Sequence, residues 1–467
     1  MLFVESRFFV FFLVVFLVHW ALPWHRARKV WLLAASYTFY AAWDWRFLGL
    51  ILASTFLDWF AGRGVFHAAE HTFRRRAWLF ASIAGNLGLL GFFKYYNFFV
   101  ESGAALLSTI GFEVSAPILS IILPVGISFY TFQTLSYTLD IHFGRLKPTR
   151  SLLDLALFVG FFPQLVAGPI VRAIQFLPQL ETKKRFADVP VRAALALFFF
   201  GFVKKTCFSD HLAPVVDQMF ADPAAFDAAS AWLGTVLFYL QLYCDFSAYS
   251  DMAIALALLL GYQLPLNFDF PYFTRSIGEF WQHWHITLGS WFRAYVYIPL
   301  GGNRRGVGRT YINLLVVFLL SGLWHGAHWN FVIWGFIHGA FLVLEGIGLG
   351  AWLERRTVWT RRLYVNLVWI LSLTFFRSAD VDGALACLTR MLWPFGAQDP
   401  ALATLPSVWW LAVAGFLLVH WTMKLGLIER ALARLPDWAF ATTLGAATAL
   451  AMPWIAATDT PFIYFQF

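Results

Sequence analysis

Long apolar runs, interrupted at short intervals by clusters of arginine and lysine, dominate this sequence. They fall near 6–22, 30–46, 47–62, 78–100, 117–141, 152–168, 191–207, 232–260, 310–324, 328–349, 363–378, 407–424 and 438–457. In a bilayer core no water is present to satisfy backbone polar groups, so such runs are stable as helices that close their own hydrogen bonds. The pattern predicts an all-α polytopic membrane protein, with residues 1–467 forming one domain. Only 13% of residues are charged, against about one quarter in a soluble globular protein, and that excludes a soluble fold.

The net charge of +8 reads as membrane topology, with no nucleic acid implied. Basic clusters occur at Arg26/Arg28/Lys29, Arg74/Arg75/Arg76, Arg145/Lys147/Arg150, Lys183/Lys184/Arg185, Arg304/Arg305/Arg309, Arg355/Arg356/Arg361/Arg362 and Lys424/Arg430/Arg434. If all are cytoplasmic, the N-terminus lies outside. The stretch 208–230, with Asp210, Asp217, Asp222 and Asp227 but no Lys or Arg, then reads as an outer loop. Cys207, Cys244 and Cys387 form neither a disulfide framework nor a zinc pattern. The first apolar run has a minimal basic n-region and no cleavage site after it, and reads as a retained span.

Segment 152–168 has cytoplasmic clusters on both sides, so it cannot cross once. Its end, "FFPQLVAGPIVR", contains Pro163, Gly168 and Pro169, and a re-entrant element is expected. By the same parity 310–324 goes out and 328–349 returns. Fifteen residues make only about 22 Å of helix, short of the roughly 30 Å hydrocarbon core. The joining "WHGAH" is therefore expected within the membrane's depth, with Gly322 and Gly326 permitting a bent backbone beside a buried His325.

Three histidines in "FLLSGLWHGAHWNFVIWGFIHG", 318–339, need justification in such apolar surroundings. Ionisable groups at membrane depth are usually functional. The alternative for His325 is an imidazole held by a backbone carbonyl in an aromatic core. A metal is a third reading, since His325 and His328 lie three apart, but no carboxylate or cysteine lies nearby. His328 and His338 read as structural. Upstream, a helix from about Ser276 to Tyr295 places Trp281, Trp284, His285, Leu288, Phe292 and Tyr295 on one stripe. Gln282, His283, Ser290 and Arg293 fall opposite, so His283 points to the polar side and His285 inward. The "GGNRRG" that follows is a basic glycine-rich turn. Asp245 and Asp251, within 232–260, suggest either an ion pathway or bonds to tyrosines that hold the bundle together.

The stretches "QLYCDFSAYSDMAIALALLLGYQLPLNFDFPY", "FWQHWHITLGSWFRAYVYIPLGGNRRG" and "LSGLWHGAHWNFVIWGFIHG" together resemble the membrane-bound O-acyltransferases (MBOAT). The likeness is to the bacterial branch whose members acylate alginate, cellulose or peptidoglycan. "LPVGISFYTFQTLSYTLDIHFGRLKP", "FFPQLVAGPIVR", "FFRSAD" and the terminal "PFIYFQF" extend it over nearly the whole chain, with a signature core at about 120–345. The resemblance implies a ring of about 11–13 tilted transmembrane and re-entrant helices around a central cytoplasmic funnel. It implies a catalytic His325 in the "WHG" signature, preceded by Trp324, and His285 at the second signature position.

The activity so implied is acyl transfer from a cytoplasmic thioester, with acetyl-CoA as donor substrate and no bound cofactor or metal. A neutral buried imidazole suits the base that such a transfer requires. Asn303, Arg304 and Arg305 are candidate contacts for the donor's phosphates. His285 has three open roles: orienting the donor, polarising the thioester carbonyl or assisting the leaving thiol. Since the polymer is exported, a periplasmic esterase-like (SGNH) acetyltransferase and polysaccharide export machinery are the implied partners, in the bacterial inner membrane among its lipids. The alternatives are transfer from an acyl- or D-alanyl-carrier protein to a cell-wall polymer and, in a different class, a proton-coupled transporter using Asp245 and Asp251.

Overall fold

The computed structural model describes residues 1–393 and 403–455. Among these the regular elements are helical, and β pairing is limited to an isolated bridge between Phe226 and Ala403. The terminal "PFIYFQF" and the last two residues of the 438–457 run lie outside the described residues. Among the described residues four helices are long and apolar enough to cross a membrane: Phe73–Thr109, Ala228–Leu259, Val307–His325 and Trp329–Glu354. Trp409–Lys424 and Leu427–Arg434, bent by 61° at their junction, make a fifth if taken as one span. The chain is thus a multi-pass membrane protein. Its residues group into two compact units.

The first unit comprises Met1–Leu195, Met252–Leu266 and Ser290–Val296. Helices Leu48–His67, Phe73–Leu90 and Ile127–His142 pack around Asp58, which is fully buried. Its carboxylate accepts hydrogen bonds from Ser82, from Thr138 Oγ1 at 2.6 Å and from Asn86 Nδ2 at 2.8 Å. A buried charge is tolerable only when so many donors replace its water. Segment 117–141 is not one helix, as its hydropathy suggests. Residues up to Val125 are non-helical and the helix starts at Ile127, after Pro124 and a left-handed Gly126. Proline disfavours helical backbone before it, and glycine alone adopts a positive φ at little cost.

Residues 152–168 form no single span. Helices Leu152–Gly160 and Phe162–Leu165 are broken at Phe161, and every residue from Asp154 to Val171 is buried in protein. The break is satisfied locally: Phe162 N–H donates to Ser36 Oγ at 3.2 Å, and Gln164 Nε2 to Phe158 O at 2.5 Å. Irregular backbone inside a membrane protein requires such shielding.

The second unit comprises Ala196–Asp251, Asn267–Gly289 and Tyr297–Phe467. Its stretch 208–230, expected as a loop, contains the helix Asp210–Ala221. Asp210 is buried, where Lys205 Nζ lies 2.8 Å from it and 2.8 Å from Asp245. Lys204 pairs with Asp251 at 2.6 Å. The two aspartates therefore pair with lysines of the π-helical turn Lys204–Ser209.

Candidate active site

Helix Val307–His325 ends on the histidine of interest. At 19 residues it is about 28 Å long, close to the hydrocarbon thickness, so the shortfall expected from 310–324 disappears. The backbone does leave the helix immediately afterwards, where Gly326 is extended. His328 then caps the returning helix Trp329–Leu344: its Nδ1 accepts the Asn330 N–H at 3.3 Å. His328 is exposed and structural.

Gly322 serves a different purpose from the bend expected of it. It lies inside the helix, and a Cβ there would collide with the Phe331 carbonyl; one at Gly335 would collide with Phe318 O. The two glycines let the helices before and after His325 touch backbone to backbone.

The expected continuous helix over 276–295 is broken at the second histidine. The observed elements are Ile277–His283, Ile286–Phe292 and a π turn Arg293–Tyr297. His285 has φ +43°, in the left-handed region. Segment 267–269 holds the break open: Asp269 N–H donates to His283 O at 3.0 Å, and Ile286 N–H to Asn267 O at 3.0 Å. A non-glycine residue kept in that conformation costs about 1–3 kcal/mol and persists where surroundings over-determine it, often at functional sites. The division of the histidines survives, although its cause is the break. His283 faces outward with its Nδ1 2.6 Å from Asp269 O, and His285 is buried.

His285 is oriented by a polar chain that the sequence did not single out. Its Nδ1–H donates to Asn267 Oδ1 at 3.3 Å, and the same oxygen accepts the Thr287 hydroxyl at 2.6 Å. Asn267 Nδ2 donates to Ser250 Oγ at 3.0 Å. In this arrangement the ring is the Nδ1–H tautomer, and Nε2 is a buried lone pair without a hydrogen-bond partner among the described residues.

His325, 4% exposed, sits among Trp324, Trp334 and Phe376, with ring centroids 5.1, 5.1 and 5.3 Å away. The centroids of His285 and His325 are 6.4 Å apart, and Trp324 lies 5.8 Å from His285. His338 belongs to the supporting layer. Its Nε2 lies 2.9 Å from Ser372 Oγ, whose own hydroxyl donates to Trp369 O, so the imidazole is the donor.

Three of the expected site residues therefore converge: His285, His325 and Trp324. Asn303, Arg304 and Arg305 do not join them. They are exposed on the turn before Val307, so about 27 Å of helix separates that turn from His325. Buried Asn313 anchors the turn, its Nδ2 donating to Gly302 O at 2.9 Å and to Leu300 O at 3.5 Å. Among the described residues no three His, Cys, Asp or Glu side chains are grouped to hold a metal ion.

Residues 145–376 match the model of the membrane-bound O-acyltransferase family. A protein of Azotobacter vinelandii named a probable alginate O-acetylase is 44% identical over 351 residues, 74% of this chain and 68% of that one. A peptidoglycan O-acetyltransferase of Helicobacter pylori is 36% identical over 397 residues, 78% of this chain and 73% of that one. A teichoic acid D-alanyltransferase of Streptococcus thermophilus is 29% identical over 247 residues, 50% of this chain and 58% of its own length.

Proposed function

The chain belongs to the membrane-bound O-acyltransferase family and is an acyltransferase, and from that premise we propose that it moves acetyl groups from acetyl-CoA across the membrane for O-acetylation of an exported polysaccharide or peptidoglycan. The names of its relatives support a polymer substrate. The observation that carries the catalytic part is the buried pair His285 and His325, 6.4 Å apart and presented by different elements. One oxygen-sized group between them can touch both rings.

In this reading His325 takes the proton of an attacking hydroxyl as its oxygen adds to the thioester carbonyl. The tetrahedral adduct collapses, the carbon–sulfur bond breaks, and the imidazolium returns the proton to the departing thiolate. A new oxygen–acyl bond and a free thiol result. His285 offers only a lone pair at Nε2, so in its neutral form it orients by accepting a hydrogen bond, from the hydroxyl or from an amide of the donor's arm. Polarising the carbonyl by donation is not open to that tautomer. Trp324 walls the space between the rings.

Asn303, Arg304 and Arg305 would receive the donor's phosphates, which requires the donor to lie along helix Val307–His325 with its thioester at the far end. The proposed acceptor is a periplasmic esterase-like transferase that works with polysaccharide export machinery, across a bacterial inner membrane with the N-terminus outside. Transfer of a D-alanyl group from a carrier protein to a cell-wall polymer ranks second, because the likeness to the teichoic acid D-alanyltransferase is lower and covers half of the chain. The lysine partners of Asp245 and Asp251 weigh against a transporter.

The test is His325→Gln, which keeps most of the side-chain volume, in purified protein assayed for thiol release from acetyl-CoA. The rate should fall about a hundredfold or more, the usual worth of a general base, while thermal unfolding stays close to wild type. A rate within about threefold of wild type would remove the catalytic assignment.

A further inference from the structure

Away from the histidines, the second unit carries a groove of about 430 Å³ that the acyl-transfer reading does not use. Its floor is one stripe of helix Val358–Arg377, formed by Thr360, Leu363, Leu367, Leu371 and Phe375. These recur at three- and four-residue spacing and run about 22 Å along the helix axis. Phe341 of the returning helix forms part of the opposite wall, and Trp352 stands at the Thr360 end. Leu363 and Trp352 are half exposed, so the groove opens outward from the bundle. A long, narrow, apolar trough at the flank of a membrane protein has the form of a hydrocarbon chain.

The two ends differ. At the Trp352 end the chain turns through Glu354, Arg355 and Arg356, all exposed. The Arg356 guanidinium lies 4.3 Å from the Trp352 ring, and Arg356 N–H donates to Leu353 O at 2.8 Å, so this charge is held at the mouth. The other two arginines of the cluster are committed elsewhere: Arg361 donates to Arg275 O and Arg362 to Phe273 O, each at 3.2 Å. No charged side chain lines the trough itself. Arg355 and Arg356 follow its Trp352 end in the chain, whereas Arg377, just past Phe375, is paired with Asp217.

We propose that this groove binds one anionic phospholipid, an acyl chain lying along Thr360–Phe375 and the headgroup phosphate contacting Arg355 and Arg356. A basic cluster at a membrane surface attracts anionic lipid, and guanidinium matches phosphate geometrically. Lipid supplies both halves of the complementarity, whereas a second copy of this chain would have to bring an apolar ridge ending in an acid. The site does not depend on the chemistry proposed for His325.

The experiment is native mass spectrometry of the full chain in detergent, titrated with phosphatidylglycerol or with phosphatidylcholine of the same acyl composition. Wild type should retain one phosphatidylglycerol in preference to phosphatidylcholine. R355Q/R356Q, confined to exposed positions, should weaken phosphatidylglycerol binding about tenfold and leave phosphatidylcholine unchanged. L367W, which fills the trough from its half-buried floor, should lower retention of both. Equal retention of the two lipids by wild type, or unchanged phosphatidylglycerol binding in R355Q/R356Q, would overturn the headgroup contact and with it the proposal. Undiminished lipid in folded L367W, or a dimer that excludes lipid, would put a different occupant in the groove.

Discussion

Asn267 is the residue through which the geometry of His285 can be tested without touching either imidazole. Asn267→Leu keeps the shape and removes an acceptor shared by His285 Nδ1–H at 3.3 Å and the Thr287 hydroxyl at 2.6 Å. The hydroxyl can rotate to another partner, but the ring N–H is buried and cannot reach water. Leaving one such donor orphaned costs about 1–3 kcal/mol of stability. The catalytic effect has a separate origin. A hydrogen bond of net worth about 1 kcal/mol biases the tautomer by roughly fivefold, and without it part of the population carries its proton at Nε2, where the lone pair is needed. Loss of orientation adds to this, so kcat should fall about tenfold, with a smaller change in KM if the bond to Nε2 strengthens in the transition state. Asn267→Asp keeps the acceptor and should recover most of kcat. The assay is thiol release from acetyl-CoA by purified variants, with thermal unfolding in parallel. If Asn267→Leu retains kcat within about twofold, or if Asp and Leu behave alike, the tautomer argument fails.

His285→Ala should be severe and His283→Ala mild in the same assay, because His285 is buried and His283 faces outward; equal losses would refute the separation at the helix break. Gly322→Ala should lower stability by about 1–3 kcal/mol and reduce activity, since the added methyl meets the Phe331 carbonyl, which cannot rotate away. Unchanged melting of that variant would mean that the two helices are not in backbone contact. Arg304→Ala/Arg305→Ala should raise KM for acetyl-CoA about tenfold or more with little change in kcat, and an unmoved KM would place the donor phosphates elsewhere.

What could be read in advance follows a physical line between local and non-local causes. Helix Val307–His325 and its return were legible because the apolar run, Gly326 and the capping His328 act within a few residues of each other. The break at His285 was not. Nothing in "FWQHWHITL" stops a helix, and a uniform periodicity through Tyr295 is what those residues prefer alone. The break is held by one hydrogen bond to the Asn267 carbonyl and one from the Asp269 N–H, whose partners Ile286 and His283 lie well downstream in chain order, and no local pattern contains them. The convergence of His285 with His325 likewise came from the family signature rather than from spacing.

Lys204, half-buried, and Lys205, buried, lie between these cases, and their signal was present. Lys204 and Lys205 interrupt an apolar segment, and an ammonium in such surroundings must find a carboxylate. The facing helix Ala228–Leu259 offers Asp245 and Asp251, six residues apart, which puts them about 120° apart around its axis. Two adjacent lysines differ by about 100° around theirs, a close angular match, and their long stems absorb the axial offset of about 9 Å between the carboxylates. Two separate pairs, Lys204–Asp251 and Lys205–Asp245, are then the simplest arrangement, with Asp210 as a second acid on Lys205. Removing one member of such a buried set strands its partner's charge, so loss of function at either aspartate would by itself report on packing and not on ion transport.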